Sequence, residues 1–195
     1  MAPSRPLSDT PATGADPGAD LWQRAAAFAA RAHKHQFRKD GVTPYAAHPA
    51  RVALTCATLF GCSDPVVLAA ALLHDVIEDT GADYDDLEKR FGSEVARCVA
   101  ALSKDDRLPE PEREPAYDRR LELADWRAKL IKLADVYDNT CDRLNRLDNP
   151  DHEKLFRKCE RALAIAATDT DPPPVLERAV RAVKDLLHEA NPRRA

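Results

Sequence analysis

Ala69-Ala70-Ala71-Leu72-Leu73-His74-Asp75-Val76-Ile77-Glu78-Asp79-Thr80 begins as an apolar run and ends in one imidazole and three carboxylates. The apolar half reads as a buried segment, and the polar half as the place where it meets solvent. On a continuous helix, positions four apart share a face, so His74 lies over Glu78 and Asp75 over Asp79. If the helix ends just after His74-Asp75, the second acidic pair swings round the rim of the same site. Both geometries bring the four groups together, and burying that much negative charge is prohibitive unless a cation neutralises it. A metal is the economical explanation. A capping histidine beside solvated acids would account for an isolated His-Asp pair, but poorly for this cluster.

The segments on either side read as further helices. Asp64-Pro65 is a cap followed by a first-turn proline, and it launches the helix that ends near His74-Asp75. Upstream, Pro49 can open a helix at its first position and carry it to about Phe60, where Gly61 stops it. That placement leaves His48 on the cap, exposed and positionable. Asp20 can cap a first helix through Ala25–Ala32, with Trp22, Ala26, Phe28 and Ala29 on its apolar side. Short helices are expected around Asp83–Arg90 and Ser93–Ser103. Residues 105–116 hold three prolines and alternating charges, which reads as a loop or edge insertion. A longer helix carries Trp126, Leu130, Asp135 and Asn139, and two more occupy about Asp151–Ala167 and Pro174–Ala190. With no convincing strand and no internal repeat, the expected architecture is all-α, a compact helical bundle spanning 20–195.

In that long helix Asp135 follows Leu130, Ile131, Leu133 and Ala134, so a core helix would carry one carboxylate inward. His48, His74, Asp75 and Asp135 together give a mixed nitrogen and oxygen shell. Such a shell suits a first-row divalent ion with positions left for water and substrate. Asn139 and Lys132 share a face with Asp135.

Composition excludes several classes. The chain has 195 residues and a net charge of -4. That is enough for one domain with a sizeable core, with no basic stripe of the kind that binds nucleic acid. Five cysteines form no C-x-x-C pair and read as reduced thiols. Residues 1–19, rich in Pro, Ala, Gly, Ser, Thr and Asp, read as a disordered tail without the apolar stretch of a signal peptide. No run approaches transmembrane length, so no membrane partner and a cytoplasmic location are expected. His33 and His35 read as surface histidines, while His152 and His188 receive no role.

His48, then His74-Asp75, then a distant Asp135 resembles the order of the HD phosphohydrolase superfamily. Five blocks are similar in order and spacing to one branch of it, the RelA/SpoT-type alarmone hydrolases. They are Arg38-Lys39-Asp40-Gly41; Pro44-Tyr45 with His48-Pro49; Ala70–Asp75 with Glu78-Asp79-Thr80; Phe91-Gly92; and Ile131–Asp135 with Asn139. The similarity covers roughly residues 20 to 148, and the size resembles the small alarmone hydrolases, the metazoan Mesh1 type included. The resemblance implies an HD-domain bundle that hydrolyses the 3′-pyrophosphate of (p)ppGpp with manganese held by His48, His74, Asp75 and Asp135. Glu78 and Asp79 would handle the protons of the attacking water and leaving oxygen. Arg38 would stack on the base, Lys39 lie nearer phosphate, Asn139 hold the ribose or base edge, and Tyr45 wall the pocket. Lys104 matches a lysine of that branch.

The chain departs from the branch after Asp135. Val136 replaces a basic residue and Cys141 an arginine, leaving Arg143 or Arg146 to supply charge. Asp138 adds a negative charge that is unfavourable beside phosphate unless it points away. A small-molecule nucleotide is the expected partner, and oligomeric state is not legible. Two other readings stand beside the leading one: a hydrolase of ppApp or of the ribose phosphate of NADPH, and a silent nucleotide-binding module.

Overall fold

Nothing polar interrupts Pro65–Leu73, and the helix it forms (α3) is buried along most of its length, including Val67 and every residue from Ala69 to Leu73. In this computed structural model, which describes residues 17–144 and 152–190, α3 is the centre against which other helices pack. Asp64 caps it as expected, its Oδ1 accepting from the backbone N–H groups of Val66 at 2.8 Å and Val67 at 3.4 Å. The Arg127 guanidinium donates to the other Asp64 oxygen at 2.7 Å, so the cap also ties α3 to the start of a later helix.

In chain order the helices are α1 (Pro17–Ala32), α2 (Ala47–Leu54, prolonged by a π-helical turn, Thr55–Leu59), α3, α4 (Val76–Asp79) and α5 (Tyr84–Phe91). They continue with α6 (Ser93–Leu102), α7 (Glu110–Glu122), α8 (Trp126–Leu144), α9 (His152–Ala166) and α10 (Pro174–Ala190). Helices α1, α2, α6 and α8 pack against α3, while α8 also carries α9 and α10 on its far side. The fold is all-α. Among the described residues the only sheet-like pairing is an isolated bridge between Phe37 and Pro44. No helix among them is long and apolar enough to cross a membrane.

Four local expectations are corrected. Helix α1 opens at Pro17, so Asp20 lies inside its first turn and takes the Arg24 guanidinium at 2.7 Å instead of capping; the rest of the expected tail lies outside the described residues. Helix α2 opens at Ala47, two residues before Pro49, which places His48 inside the first turn and buries it. Proline tolerates this position because first-turn N–H groups have no intrahelical acceptor. Residues from Glu110 onward are helical despite Pro111 and Pro115. Pro111 sits in the first turn, and the interior Pro115 is offset by burial of Tyr117 and Leu121 and by Arg161, which grips Glu114 and Asp118. Finally, His33 is buried rather than on the surface, its ring centroid 4.7 Å from that of Tyr45.

The π turn ends at Gly61, whose φ of 68° is one that side-chain-bearing residues avoid. Its Cβ, if present, would lie 3.1 Å from the Arg178 guanidinium, which donates to the Phe60 carbonyl.

Candidate functional site

Helix α3 stops at Leu73, which decides between the two geometries open to the sequence. His74 is its C-cap, Asp75 opens the single turn of α4, and Glu78 and Asp79 sit on that turn at the rim. The His74 Nδ1 lies 2.8 Å from the Ala71 carbonyl, which can only accept, so Nδ1 carries a proton. Its Nε2 is buried without a hydrogen-bond partner and faces the groups described next.

From α2, His48 brings its Nε2 to 3.3 Å from Asp135 Oδ1 and 3.6 Å from Asp75 Oδ2. His74 Nε2 lies 3.1 Å from Asp75 Oδ2 and 4.0 Å from Asp135 Oδ1. Ligand atoms of His48, His74 and Asp135 all fall within 4.8 Å of one another. Two buried imidazoles, one with an orphaned nitrogen, and a carboxylate from three separate helices fit a divalent cation in both donor type and spacing. Asp75 borders the same group of atoms.

The electrostatics agree. Burial pushes the His74 imidazole down, but Asp75 outweighs it and holds the ring up at about 9. Burial pushes Asp75 up, and His74 outweighs that to hold the carboxyl at about 2. Burial likewise opposes ionisation of Asp135, yet Lys132, with Nζ 2.9 Å away, and the two histidines keep it well below the usual carboxylate range. Asp75 and Asp135 are thus held in the ionised form, the form in which a carboxylate ligates a cation.

Around this centre stand the other residues singled out from sequence. Tyr45 Oη lies 2.7 Å from Asp75 Oδ2 and 2.9 Å from Asp79 Oδ2, so its one proton bridges the first acidic pair to the second. Burial, then Asp75, raises its phenol well above the ordinary value. Glu78 accepts the Lys104 backbone N–H at 3.1 Å. Asn139, one turn beyond Asp135, donates to Asp135 Oδ1 at 2.6 Å and accepts from Arg38 at 2.9 Å. The Arg38 loop is fixed locally: Asp40 Oδ1 accepts from the N–H groups of Val42 and Thr43, both at 2.9 Å, and Arg38 N–H donates to the Thr43 carbonyl at 2.8 Å.

Two cavities lie over these groups. One of about 220 Å³ is lined by His48, His74, Asp75, Glu78, Asp79 and Asp135, with Lys104, Lys132 and Lys158 at its edge. A larger one of about 550 Å³ shares Arg38, Tyr45, Lys132, Asp135, Asn139 and Lys158 with it. That outer cavity adds Lys39, Arg143 and Lys154. Arg146 lies outside the described residues. Lys154 and Lys158 were missed in the sequence, because a basic pair on an amphipathic helix carries no motif. Burial lowers the Lys158 ammonium, and Lys132 and Lys104 lower it further, the mark of a basin rich in positive charge. A third cavity, about 910 Å³ and lined by residues such as Arg97, Arg120 and Leu123, holds none of the histidines and shares only Lys104 with the smaller one.

Asp138 does not line either cavity. It points the other way, its Oδ2 2.7 Å from His48 Nδ1 and its two oxygens gripped by Arg51 at 2.6 and 2.9 Å. Burial raises its carboxyl, and the His48 and Arg51 hydrogen bonds outweigh that and lower it.

Comparison with known proteins places this geometry. The family described as HD domain matches residues 25–161. Human guanosine-3′,5′-bis(diphosphate) 3′-pyrophosphohydrolase MESH1 is 46% identical over 123 residues, covering 63% of this chain and 68% of its own. The bifunctional (p)ppGpp synthase/hydrolase SpoT of Escherichia coli is 44% identical over 110 residues, 53% of this chain and 15% of that one. Among solved structures, a metazoan ortholog of SpoT described as hydrolyzing ppGpp and playing a role in starvation responses superposes with a TM-score of 0.70 at 30% identity. That superposition covers 91% of this chain and 97% of the other. With its three-helix cluster of two histidines and aspartates, the chain belongs to the HD-domain family, and within it to the MESH1-like branch.

Proposed function

We propose that the protein is a metal-dependent hydrolase of the 3′-pyrophosphate of guanosine alarmones, converting ppGpp and water to GDP and pyrophosphate. The observation that carries this reading is the buried, unpartnered Nε2 of His74. It faces His48 and Asp135 in a cavity that shares Arg38, Lys132, Lys158 and other lining residues with a larger, lysine-rich one. His48, His74, Asp75 and Asp135 would hold the ion, for which the family resemblance read from the sequence favours manganese. When bound, a divalent ion supplies positive charge that acidifies water and offsets the charge of the phosphoryl oxygens.

The protein's own groups account for the rest. Arg38, Lys39, Arg143, Lys154 and Lys158 line the outer cavity and match a polyanion, with Arg38 presenting a planar guanidinium suited to stacking or bidentate contact. These cations make good the loss of positive charge at Val136 and Cys141. A water oxygen bonds to the phosphorus next to the ribose 3′ oxygen, and the bond between that phosphorus and the 3′ oxygen breaks. Glu78 and Asp79, on the rim, accept the proton from water and return one to the leaving oxygen. Tyr45 couples Asp79 to Asp75 and orients both.

Turnover of ppGpp, pppGpp, ppApp and NADPH by purified protein with manganese tests the reading, with products separated by chromatography. Pyrophosphate and GDP from ppGpp support it. Inorganic phosphate from NADPH alone would mark a monophosphatase, and no turnover of any substrate a silent nucleotide-binding module.

A further inference from the structure

Asp138 is an expensive residue as the fold uses it. It stands 6% exposed on a helix whose interior neighbours are apolar, and a carboxylate so placed is costly unless every oxygen is satisfied. Arg51 satisfies both oxygens, but an Arg–Asp pair of this kind is commonly no more stabilising than a packed apolar pair of the same volume. Stability alone therefore gives little reason for the pair. The third partner does: His48 Nδ1 lies 2.7 Å from Asp138 Oδ2, on the side of the ring opposite Asp75 and Asp135.

Resting on the metal-site reading above, we infer that Asp138, clamped by Arg51, is a positioning residue for His48: it holds the Nδ1 proton and so keeps Nε2 aimed at the metal cluster. An ionised carboxylate only accepts, so the ring nitrogen facing it must carry hydrogen, which leaves Nε2 as the nitrogen available to a cation. Arg51 fixes the carboxylate plane through two hydrogen bonds, and a lysine could not do so with one ammonium. The arrangement also reaches the nucleotide side. Arg51 lies 3.4 Å from Asp142, Asp142 3.2 Å from Arg38, and Arg38 bonds Asn139, which bonds Asp135. A ligand of the cluster and the proposed base-stacking arginine thus share one hydrogen-bonded circuit. The negative charge that reads as misplaced beside a phosphate site is turned away from it and put to use behind His48.

The test combines two readouts on full-length wild type, Asp138→Asn, Asp138→Leu and Arg51→Met. Manganese affinity of the metal-free proteins is measured by chelator competition, and His48 Nδ1 is observed by NMR after ¹⁵N-histidine labelling. Wild type should show a hydrogen-bonded Nδ1 proton. Asp138→Leu, which fills the space with a side chain that cannot accept a hydrogen bond, should lose that signal and bind manganese about 10- to 100-fold more weakly while staying folded. Asp138→Asn, able to accept but no longer charged, should fall between, as should Arg51→Met. Wild-type affinity in folded Asp138→Leu, or a wild-type Nδ1 without a proton, would overturn the inference. If wild type bound no divalent ion, the metal reading would fall, and the Nδ1 signal would still decide whether Asp138 orients the ring.

Discussion

Replacing Glu78 or Asp79 with alanine should separate catalysis from structure, because the contacts of both residues are few. Glu78 accepts one backbone N–H, that of Lys104, at 3.1 Å, and its other oxygen lies 3.9 Å from the Lys104 ammonium. Losing a hydrogen bond to a partly buried N–H costs about 1 kcal/mol, and a half-exposed ion pair adds less than that. For a chain of this size, that lowers Tm by roughly 2–4 °C. Asp79 is exposed, and its carboxylate accepts the Tyr45 hydroxyl, which keeps Asp75 as an alternative acceptor; the Gln36 bond to the Asp79 backbone carbonyl survives the substitution, so loss of the carboxylate should cost no more. Proton handling at the reacting oxygens is worth far more, about 10²–10⁴ in rate, or roughly 3–5 kcal/mol of barrier. Both variants should therefore stay folded, keep their metal and lose at least a hundredfold in single-turnover hydrolysis of ppGpp. His74→Ala and Asp75→Ala should lose metal as well. Metal content, unfolding temperature and single-turnover rate belong on the same preparations. If Glu78→Ala and Asp79→Ala both kept rates within tenfold of wild type, the acidic turn would be ordinary rim charge and the proton-transfer assignment would be wrong.

Other expected outcomes follow from single features of the structure. Arg38→Ala removes a guanidinium that lines both cavities and bonds Asn139; KM for ppGpp should rise about 10- to 100-fold, the worth of one charged hydrogen bond, and an unchanged KM would remove Arg38 from the substrate site. Lys158→Ala should weaken substrate binding more at low than at high ionic strength, since its role is Coulombic; equal loss at both would point to packing instead. Asp64→Ala should destabilise the fold by about 1–2 kcal/mol by uncapping α3, and Asp64→Asn much less; chemical denaturation compares them directly. Burial pushes the Cys98 thiol up to about 12, and it raises Cys56 further, so neither is a thiolate at pH 8. Native labelling with a thiol reagent should therefore reach Cys141, the least buried of the five, and spare both until denaturant is added.

Local chemistry made much of this protein readable. Asp64-Pro65 specifies a helix start whatever surrounds it, because the cap and the proline act within one turn. An apolar run with no polar face leaves only a buried helix, and its end at His74-Asp75 marks where that helix reaches the site. Helical spacing correctly joined Lys132, Asp135 and Asn139 on one face, since residues three and four apart on one helix meet regardless of the fold. What the spacing rule does not reach is the relation between helices. Whether α3 continued through Glu78 was undecided until α4 turned away. His48, expected on an exposed cap, is buried because α2 begins two residues early and packs its first turn against α3 and α8. Asp138 reads as a misplaced charge in the chain alone, as its partners, His48 and Arg51, lie on another helix about ninety positions away. Lys154 and Lys158 gain meaning only when α9 packs on α8 and tilts them toward the cavity. The sequence could determine which groups the chain possesses and which of them share a helix, both being set within a few residues. Only the packing of helices far apart in the chain decided which groups face one another across the site.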